Sequence, residues 1–239
     1  MNRVVVMGAG DFGREVASWI RDDAAFLNGD TVFFIDDSPQ ALSRHPHLVG
    51  QLIGPISSFS PAPSDRIVVG TSSPDTKIRF AELLAERAAS FTTFVHHSVI
   101  RAESSFIGEG SVICPNVVIA SDARIGGLAT LNIGSTVGHD AVIGDYASVM
   151  SHVDVMGWTQ IGRGAFIGGH ASVLPRVEVE SESVVGAGSV VVRRVPRGAT
   201  VMGAPARTLK KSSVELYASS RTGETRPQRS EGKPIAQNY

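Results

Sequence analysis

Residues 123–149 read ARIGGLATLNIGSTVGHDAVIGDYASV, and the spacing inside this stretch decides the fold. Ile125, Leu131, Val137, Ile143 and Val149 recur every six residues. The same step extends in both directions without an insertion, from Ile107 to Val191, and places fifteen aliphatic residues in one register. Two positions before each of them, from Ser105 to Ser189, stands only Ser, Ala, Val or Thr. Glycine directly follows the aliphatic at 108, 126, 138, 144, 162, 168 and 186. A strict period of six marks a parallel β-helix in which each hexapeptide supplies one short strand and one tight corner. A β-sandwich would show period two, with turns every 8–12 residues or so. The aliphatic and the small residue both point into a narrow interior, and glycine is expected to supply corners that need positive φ. Three hexapeptides make a coil of 18 residues, so the fifteen predict about five coils. Residues 18 apart then stack roughly 4.8 Å from one another.

Upstream the pattern is different. Val4-Val5-Val6 reads as a strand, Gly8-Ala9-Gly10-Asp11-Phe12-Gly13 as a turn, and Arg14 to Ile20 as a helix with Val16, Ala17 and Ile20 on one face. Thr31 to Ile35 reads as a second strand that stops at Asp36-Asp37, and Ile67 to Gly70 as a third. Lys77 to Ala89 is an amphipathic helix with Ile78, Ala81, Leu84 and Ala85 at helical spacing, and Phe91 to Val95 closes the region as a further strand. Strands alternating with helices predict a small parallel α/β sheet. Downstream, Val195-Pro196-Arg197-Gly198 and Met202-Gly203-Ala204-Pro205-Ala206-Arg207 end the repeat. The expected organisation is an α/β domain over 1–96, a β-helix over 97–209 and a polar tail over 210–239. The tail reads as a short helix over 214–219 at most and disorder elsewhere.

Composition agrees with two kinds of core. The chain has 239 residues, with 25 glycines against fifteen aromatics (10 Phe, 3 Tyr, 2 Trp). Nine of those aromatics precede residue 95, whereas fourteen of the glycines lie in 105–194. Lys+Arg 22 against Asp+Glu 23 gives a net charge of -1, which argues against a nucleic-acid or membrane-surface footprint. Cys114 is the single cysteine, so no intrachain disulfide forms and a reducing, cytoplasmic setting is expected. No apolar run is long enough to span a membrane, and no signal peptide is read at the N-terminus.

Several residues are placed for chemistry. His139 lies two residues after the inward Val137, at a corner, and Asp140 follows it. An imidazole beside a carboxylate suits the removal of a proton from an attacking amine or hydroxyl. Gly157 is 18 residues later and stacks one coil above His139, where a bare backbone N–H can approach an oxyanion. Asn132, directly after Leu131, is expected to face outward. His152 and His170 are also 18 apart and should stack, which raises a metal reading. A metal-dependent hydratase of the carbonic-anhydrase type needs three histidines, and the spacing of a third does not appear. Gly8 to Gly13 fits G-x-G-x-x-G between a strand and a helix, and Asp36 and Asp37 end the next strand, as in nucleotide-binding folds.

The Gly-rich turn, the Phe34-Ile35-Asp36-Asp37 strand end, the hexapeptide coils, Gly138-His139-Asp140 and the Gly203 to Arg207 exit occur together. Over roughly 3–209 this combination resembles the bacterial sugar acyltransferases of the left-handed β-helix superfamily. The sialic-acid-type O-acetyltransferases and nucleotide-linked amino-sugar N-acetyltransferases are the groups it is most similar to. The resemblance implies a half-Rossmann α/β domain before a left-handed coil, and a homotrimer with active sites between subunits. It implies acetyl-CoA as co-substrate, a nucleotide-sugar acceptor in surface-glycan synthesis, and no metal. By resemblance His139 is the base, Asp140 its support and Gly157 the oxyanion donor. Nucleotide-sugar contacts map onto Asp11, Phe12, Gly13, Asp36, Asp37, Gly70 and Asn132, with Phe12 standing where many members have His. Acetyl-CoA contacts map onto Ser148, Gly157, Gly169, Ala187 and Arg207, with Ser148 where the family often has His. A sugar O-acetyltransferase and a non-catalytic nucleotide-sugar scaffold are the other readings of the same residues.

Overall fold

The inward register predicted from the period is the one the chain adopts. A computed structural model describes residues 3–87 and 89–209; the expected tail over 210–239 lies outside the described residues. From Ile113 to Val191 every residue of the aliphatic column is buried, and Ile107 is half-buried at the mouth of the stack. The small residues two positions earlier, Ser105 to Ser189, are buried throughout. Together they form one continuous ring-free core. Each hexapeptide contributes a two-residue strand paired in parallel with the strand 18 residues away, as in Thr130↔Ser148 and Val137↔Val155.

The strands build three sheets. Face I runs from Phe94–Val95 through Val112–Ile113, Thr130–Leu131, Ser148–Val149, Phe166–Ile167 and Val184–Val185, and ends on Thr200–Met202 with the antiparallel Arg207–Thr208. Face II runs from Ile100–Arg101 to Val190–Val191, and face III from Phe106–Ile107 to Glu178–Val179. The result is a parallel β-solenoid of about six turns, where the column read from Ile107 predicted five. The extra strands lie at both ends: Val95 keeps the register before Ile107 but Arg101 between them hides it, and Thr200–Met202 continues face I after Val191.

The expected role of glycine holds in part: Gly110, Gly134, Gly164 and Gly188 carry positive φ at corners. Positive φ falls on the third residue after the aliphatic, and mostly on side chains that are not glycine, such as Asp140 (φ 58), His152 (φ 57), Trp158 (φ 60) and His170 (φ 58). Left-handed backbone costs a non-glycine residue about 1–2 kcal/mol. Each corner offsets part of this because its N–H donates to the turn before, as Asp140 N does to the Ser121 carbonyl (3.1 Å) and Trp158 N to that of His139 (3.0 Å). The glycines that follow the aliphatic are required for space. A Cβ at Gly162 would lie 2.3 Å from the Ser181 nitrogen, and one at Gly138 would lie 2.6 Å from the Gly157 nitrogen.

The N-terminal segment forms a separate sheet. β1 (Arg3–Met7) is central, paired in parallel with β2 (Thr31–Ile35) on one side and β3 (Asp65–Val69) on the other. α1 (Asp11–Asp22) buries Val16, Ala17 and Ile20 as its spacing predicts, and the short α2 (Ala24–Leu27) follows it. α3 spans Pro74–Ala85, with Ser73 as its N-cap accepting the Thr76 N–H and Pro74 in the first turn. Its buried face is Lys77, Phe80, Ala81 and Leu84, so it is rotated from the predicted one: Ala85 is exposed and Ile78 half-buried. The strand expected over Phe91 to Val95 is only Phe94–Val95, and it belongs to the solenoid. The aromatic core of the α/β segment continues onto the outside of face I through Phe94, Val112 and Cys114, within one compact unit.

That junction holds a buried amine. Lys77 Nζ donates to Thr130 Oγ1 (3.2 Å) and to the Ala147 carbonyl (3.0 Å) on the solenoid. The side chain is fully buried, and desolvation pushes its pKa well below the ordinary 10.5. The unfolded chain therefore binds this proton more readily than the folded one, and stability rises with pH below 10.5 until the unfolded lysine is itself neutral. Thermal melts from pH 7 to 10 should show wild-type stability climbing relative to Lys77→Met. A constant difference across that range would mean that the amine is buried in its charged form.

Candidate functional site

His139 and Asp140 occupy the corner between the face II strand Thr136–Val137 and the face III strand Val142–Ile143. The left-handed backbone of Asp140 turns its carboxylate back toward the preceding imidazole. Asp140 Oδ2 lies 2.9 Å from His139 Nδ1. An ionised carboxylate only accepts, so this contact assigns the proton to Nδ1 and leaves Nε2 with its lone pair. The imidazole is 61% exposed and Asp140 is 32% exposed, so the pair opens to solvent.

Gly157 sits one turn above. A Cβ built on it would meet His139 Nε2 at 2.6 Å, so the free nitrogen lies over the bare glycine. Among the described residues the Gly157 N–H has no hydrogen-bond acceptor, and it remains available to an incoming oxygen. Sequence stacking predicted this juxtaposition, and the structure brings the three residues together. Trp158 was missed. Its ring stands edge-on to His139, with centroids 6.4 Å apart. The stacking rule that found Gly157 would also have placed Trp158 over Asp140.

Most of the residues expected to contact a nucleotide gather elsewhere, at the C-terminal ends of the α/β strands. Asp11, Phe12, Asp36, Asp37 and Gly70 line one cavity of about 420 Å³. Asp36 and Asp37 also border a second cavity, of about 600 Å³, with Leu42, Val49 and Leu52. Asp36 spends both oxygens on backbone amides, those of Ala9 (2.8 Å) and Ser38 (2.8 Å), and so fixes the Gly-rich turn. Asp37 accepts the Ser57 N–H (2.9 Å), and Asp11 pairs with Arg14. Gly13 is buried instead of lining the cavity; a Cβ there would fall 2.0 Å from the Gly8 carbonyl oxygen, so it serves helix-to-turn packing. Arg79, Ser73 and Thr76 of α3 and its cap also line the 420 Å³ cavity. Sequence reading passed over them: its helix began at Lys77, which left Ser73 and Thr76 outside it.

Two residues with expected contacts are buried. Asn132 is 4% exposed, and its Oδ1 accepts the Ile133 N–H at 2.7 Å. Ser148 is fully buried, and among the described residues its hydroxyl has no hydrogen-bond partner. Both sit on or beside face I, part of which the α/β segment covers, so neither offers an exposed polar group. Gly169 and Ala187 stack on one another at the corner between faces I and II, a different edge from that of His139. Arg207 is exposed and borders a cleft of about 180 Å³ with Arg193 and Arg194. His152 and His170 stack as predicted, with centroids 5.0 Å apart and rings 23° from parallel. Among the described residues no three His, Cys, Asp or Glu side chains are grouped to hold a metal ion. Burial pushes the Cys114 thiol well up, which suits packing and not nucleophilic attack.

Comparison with known proteins adds to this geometry. No protein-family model matches the chain. The chain is 28% identical over 225 residues to the GDP-perosamine N-acetyltransferase of Escherichia coli O157:H7, covering 90% of this chain and 100% of that one. Among solved structures it is similar to PerB from Caulobacter crescentus in complex with CoA and GDP-perosamine (TM-score 0.77, 26% identity, 88% of this chain and 98% of that one). It is also similar to WeeI from Acinetobacter baumannii AYE (TM-score 0.65, 30% identity, 87% and 100%). Among the described residues no helix is long and apolar enough to cross a membrane.

Proposed function

The chain belongs to the hexapeptide-repeat sugar acetyltransferases, and from that premise we propose that it transfers the acetyl group of acetyl-CoA to the amine of a nucleotide-linked amino sugar. The observation that carries the chemical half of this reading is the Nε2 of His139, in a ring held by Asp140 against the bare Cα of Gly157, whose N–H has no acceptor among the described residues. In direct transfer the amine nitrogen attacks the thioester carbonyl carbon. His139 Nε2 receives the proton that the nitrogen loses. The Gly157 N–H donates to the oxygen as it gains charge, and the carbon–sulfur bond breaks to release CoA. The cavities at Asp36 and Asp37 are of a size for a nucleoside diphosphate and would hold the acceptor's handle.

The same reading assigns a half-Rossmann role to residues 1–96, a left-handed winding to the coil over 97–209, and surface-glycan synthesis in the cytoplasm. It also assigns a homotrimer. Gly169 and Ala187 lie on a different edge from His139, so a cofactor track along the first edge meets the base only when a second copy docks. Sedimentation reads the copy number. For the reaction itself, purified protein with acetyl-CoA and GDP-perosamine should release free thiol and yield the N-acetylated sugar nucleotide. Thiol release with free sialic acid but not with amino-sugar nucleotides would replace this reading by O-acetylation. No release with any acceptor, together with retained nucleotide-sugar binding, would replace it by a scaffold.

A further inference from the structure

The indole of Trp158 is poorly explained by folding. Its side chain rises from a corner column whose other members, Asp122, Asp140 and Arg176, are all hydrophilic. Trp158 is 49% exposed, so much of its apolar surface stays in water. Its ring contacts are specific. One is the perpendicular edge contact to His139, with centroids 6.4 Å apart and planes at 86°. The other is the Arg176 guanidinium, 5.3 Å from the indole centroid. The Trp158 N–H also donates to the His139 carbonyl (3.0 Å), so backbone and ring are both tied to the base's residue.

We infer that Trp158, backed by Arg176, is a positioning residue for His139. The imidazole is otherwise held by one hydrogen bond, from Nδ1 to Asp140, and it is exposed enough to rotate about that contact. The indole closes one side of the ring and keeps Nε2 over Gly157. It also removes water from the flank of the imidazole–carboxylate pair, where bulk water would weaken the contact. Arg176 holds the indole from the next turn by a cation–π contact, and the charged groups around the base are then Asp140 directly and Arg176 through the ring. This inference rests on the acetyl-transfer reading with His139 as base. It adds a residue that acts through His139 without touching either substrate.

The test compares Trp158→Ala, Trp158→Phe and His139→Ala by steady-state kinetics. Misplacement of a reacting group by about 1 Å can cost up to about 100-fold. Trp158→Ala should lower kcat by about 10- to 100-fold, with KM for both substrates moving less than about threefold. Trp158→Phe keeps an edge-on ring and should recover most of the lost kcat. A second readout uses a Trp19→Phe background, in which Trp158 is the only indole. Its emission should shift on adding His139→Ala, which removes the edge contact to the ring. A rise in KM at unchanged kcat would make Trp158 a substrate contact and overturn the inference, and so would an emission that His139→Ala leaves unchanged. Should His139→Ala itself keep full activity, the base assignment fails first. If His139→Ala is inactive and Trp158→Ala normal, the base stands and only the positioning role falls.

Discussion

Replacing His139 by alanine is expected to lower kcat by at least about 100-fold while leaving the fold intact, the low end for loss of a general base. The size of the effect follows from what the site lacks once the ring is gone. Asp140 is the neighbouring group that could take a proton, and its Oδ2 is directed at the imidazole Nδ1, 2.9 Å away. Truncation leaves the Gly157 N–H and the binding surfaces in place, so oxyanion stabilisation and proximity persist and some turnover remains. The side chain is 61% exposed and outside both hydrophobic cores, so the stability change should stay within about 0.5 kcal/mol. Thiol-release kinetics and a thermal melt on the same preparation check both halves. Normal turnover would remove His139 from the reaction, and a collapsed melting curve would show that the corner depends on it for folding.

Gly157→Ala should produce a loss of similar size by a different route. The new Cβ would sit 2.6 Å from His139 Nε2, 2.8 Å from Cε1 and 3.1 Å from Cδ2. Real Cβ atoms do not tolerate such distances, and the movable partner is the end of a side chain. The imidazole therefore swings away, which breaks its hydrogen bond to Asp140 and carries Nε2 away from Gly157. A fall in kcat of about 100-fold is expected, with little change in melting temperature because the ring moves into solvent. Gly138→Ala is the matched contrast. There the added Cβ meets the Gly157 nitrogen at 2.6 Å and the Met156 carbonyl carbon at 2.8 Å, which are rigid backbone. Overpacking of that kind costs about 1–3 kcal/mol, so this variant should melt earlier. Equal activity losses with equal stability losses in the two variants would mean that Gly157 has no special relation to the base.

Much of this was legible from spacing. A step of six fixed which residues face inward, and a step of 18 fixed which residues stack. From these two numbers came the buried column to Val191, the contact of Gly157 with His139 and the stacked rings of His152 and His170. The first two solenoid strands were missed because Arg101 interrupts the column. The positive-φ reading holds at Gly110, Gly134, Gly164 and Gly188 but not at the glycines that follow the aliphatic, because periodicity shows where a residue recurs but not which atoms crowd it. At 138 and 162 the constraint is the neighbouring backbone nitrogen, while positive φ is borne by residues such as Asp140 and Trp158.

The sequence by itself determined the coil, its register, and the pairing of His139 and Asp140 at a corner with Gly157 above. These are local or strictly periodic relations, set by strand alternation and by the stacking of one turn on the next. Only the tertiary structure decided which outward positions remain outward. Ser148 and Thr130 precede inward aliphatics just as Asp154 and Thr136 do, and the repeat makes no distinction between the two pairs. They are fully buried because α3 and the aromatic core of the first segment pack on face I, with the Lys77 amine reaching Thr130 and Ala147. That docking joins residues about 50 to 70 positions apart in a non-repeating arrangement. It depends on surface shape and buried area across the junction, and no period in the chain records either.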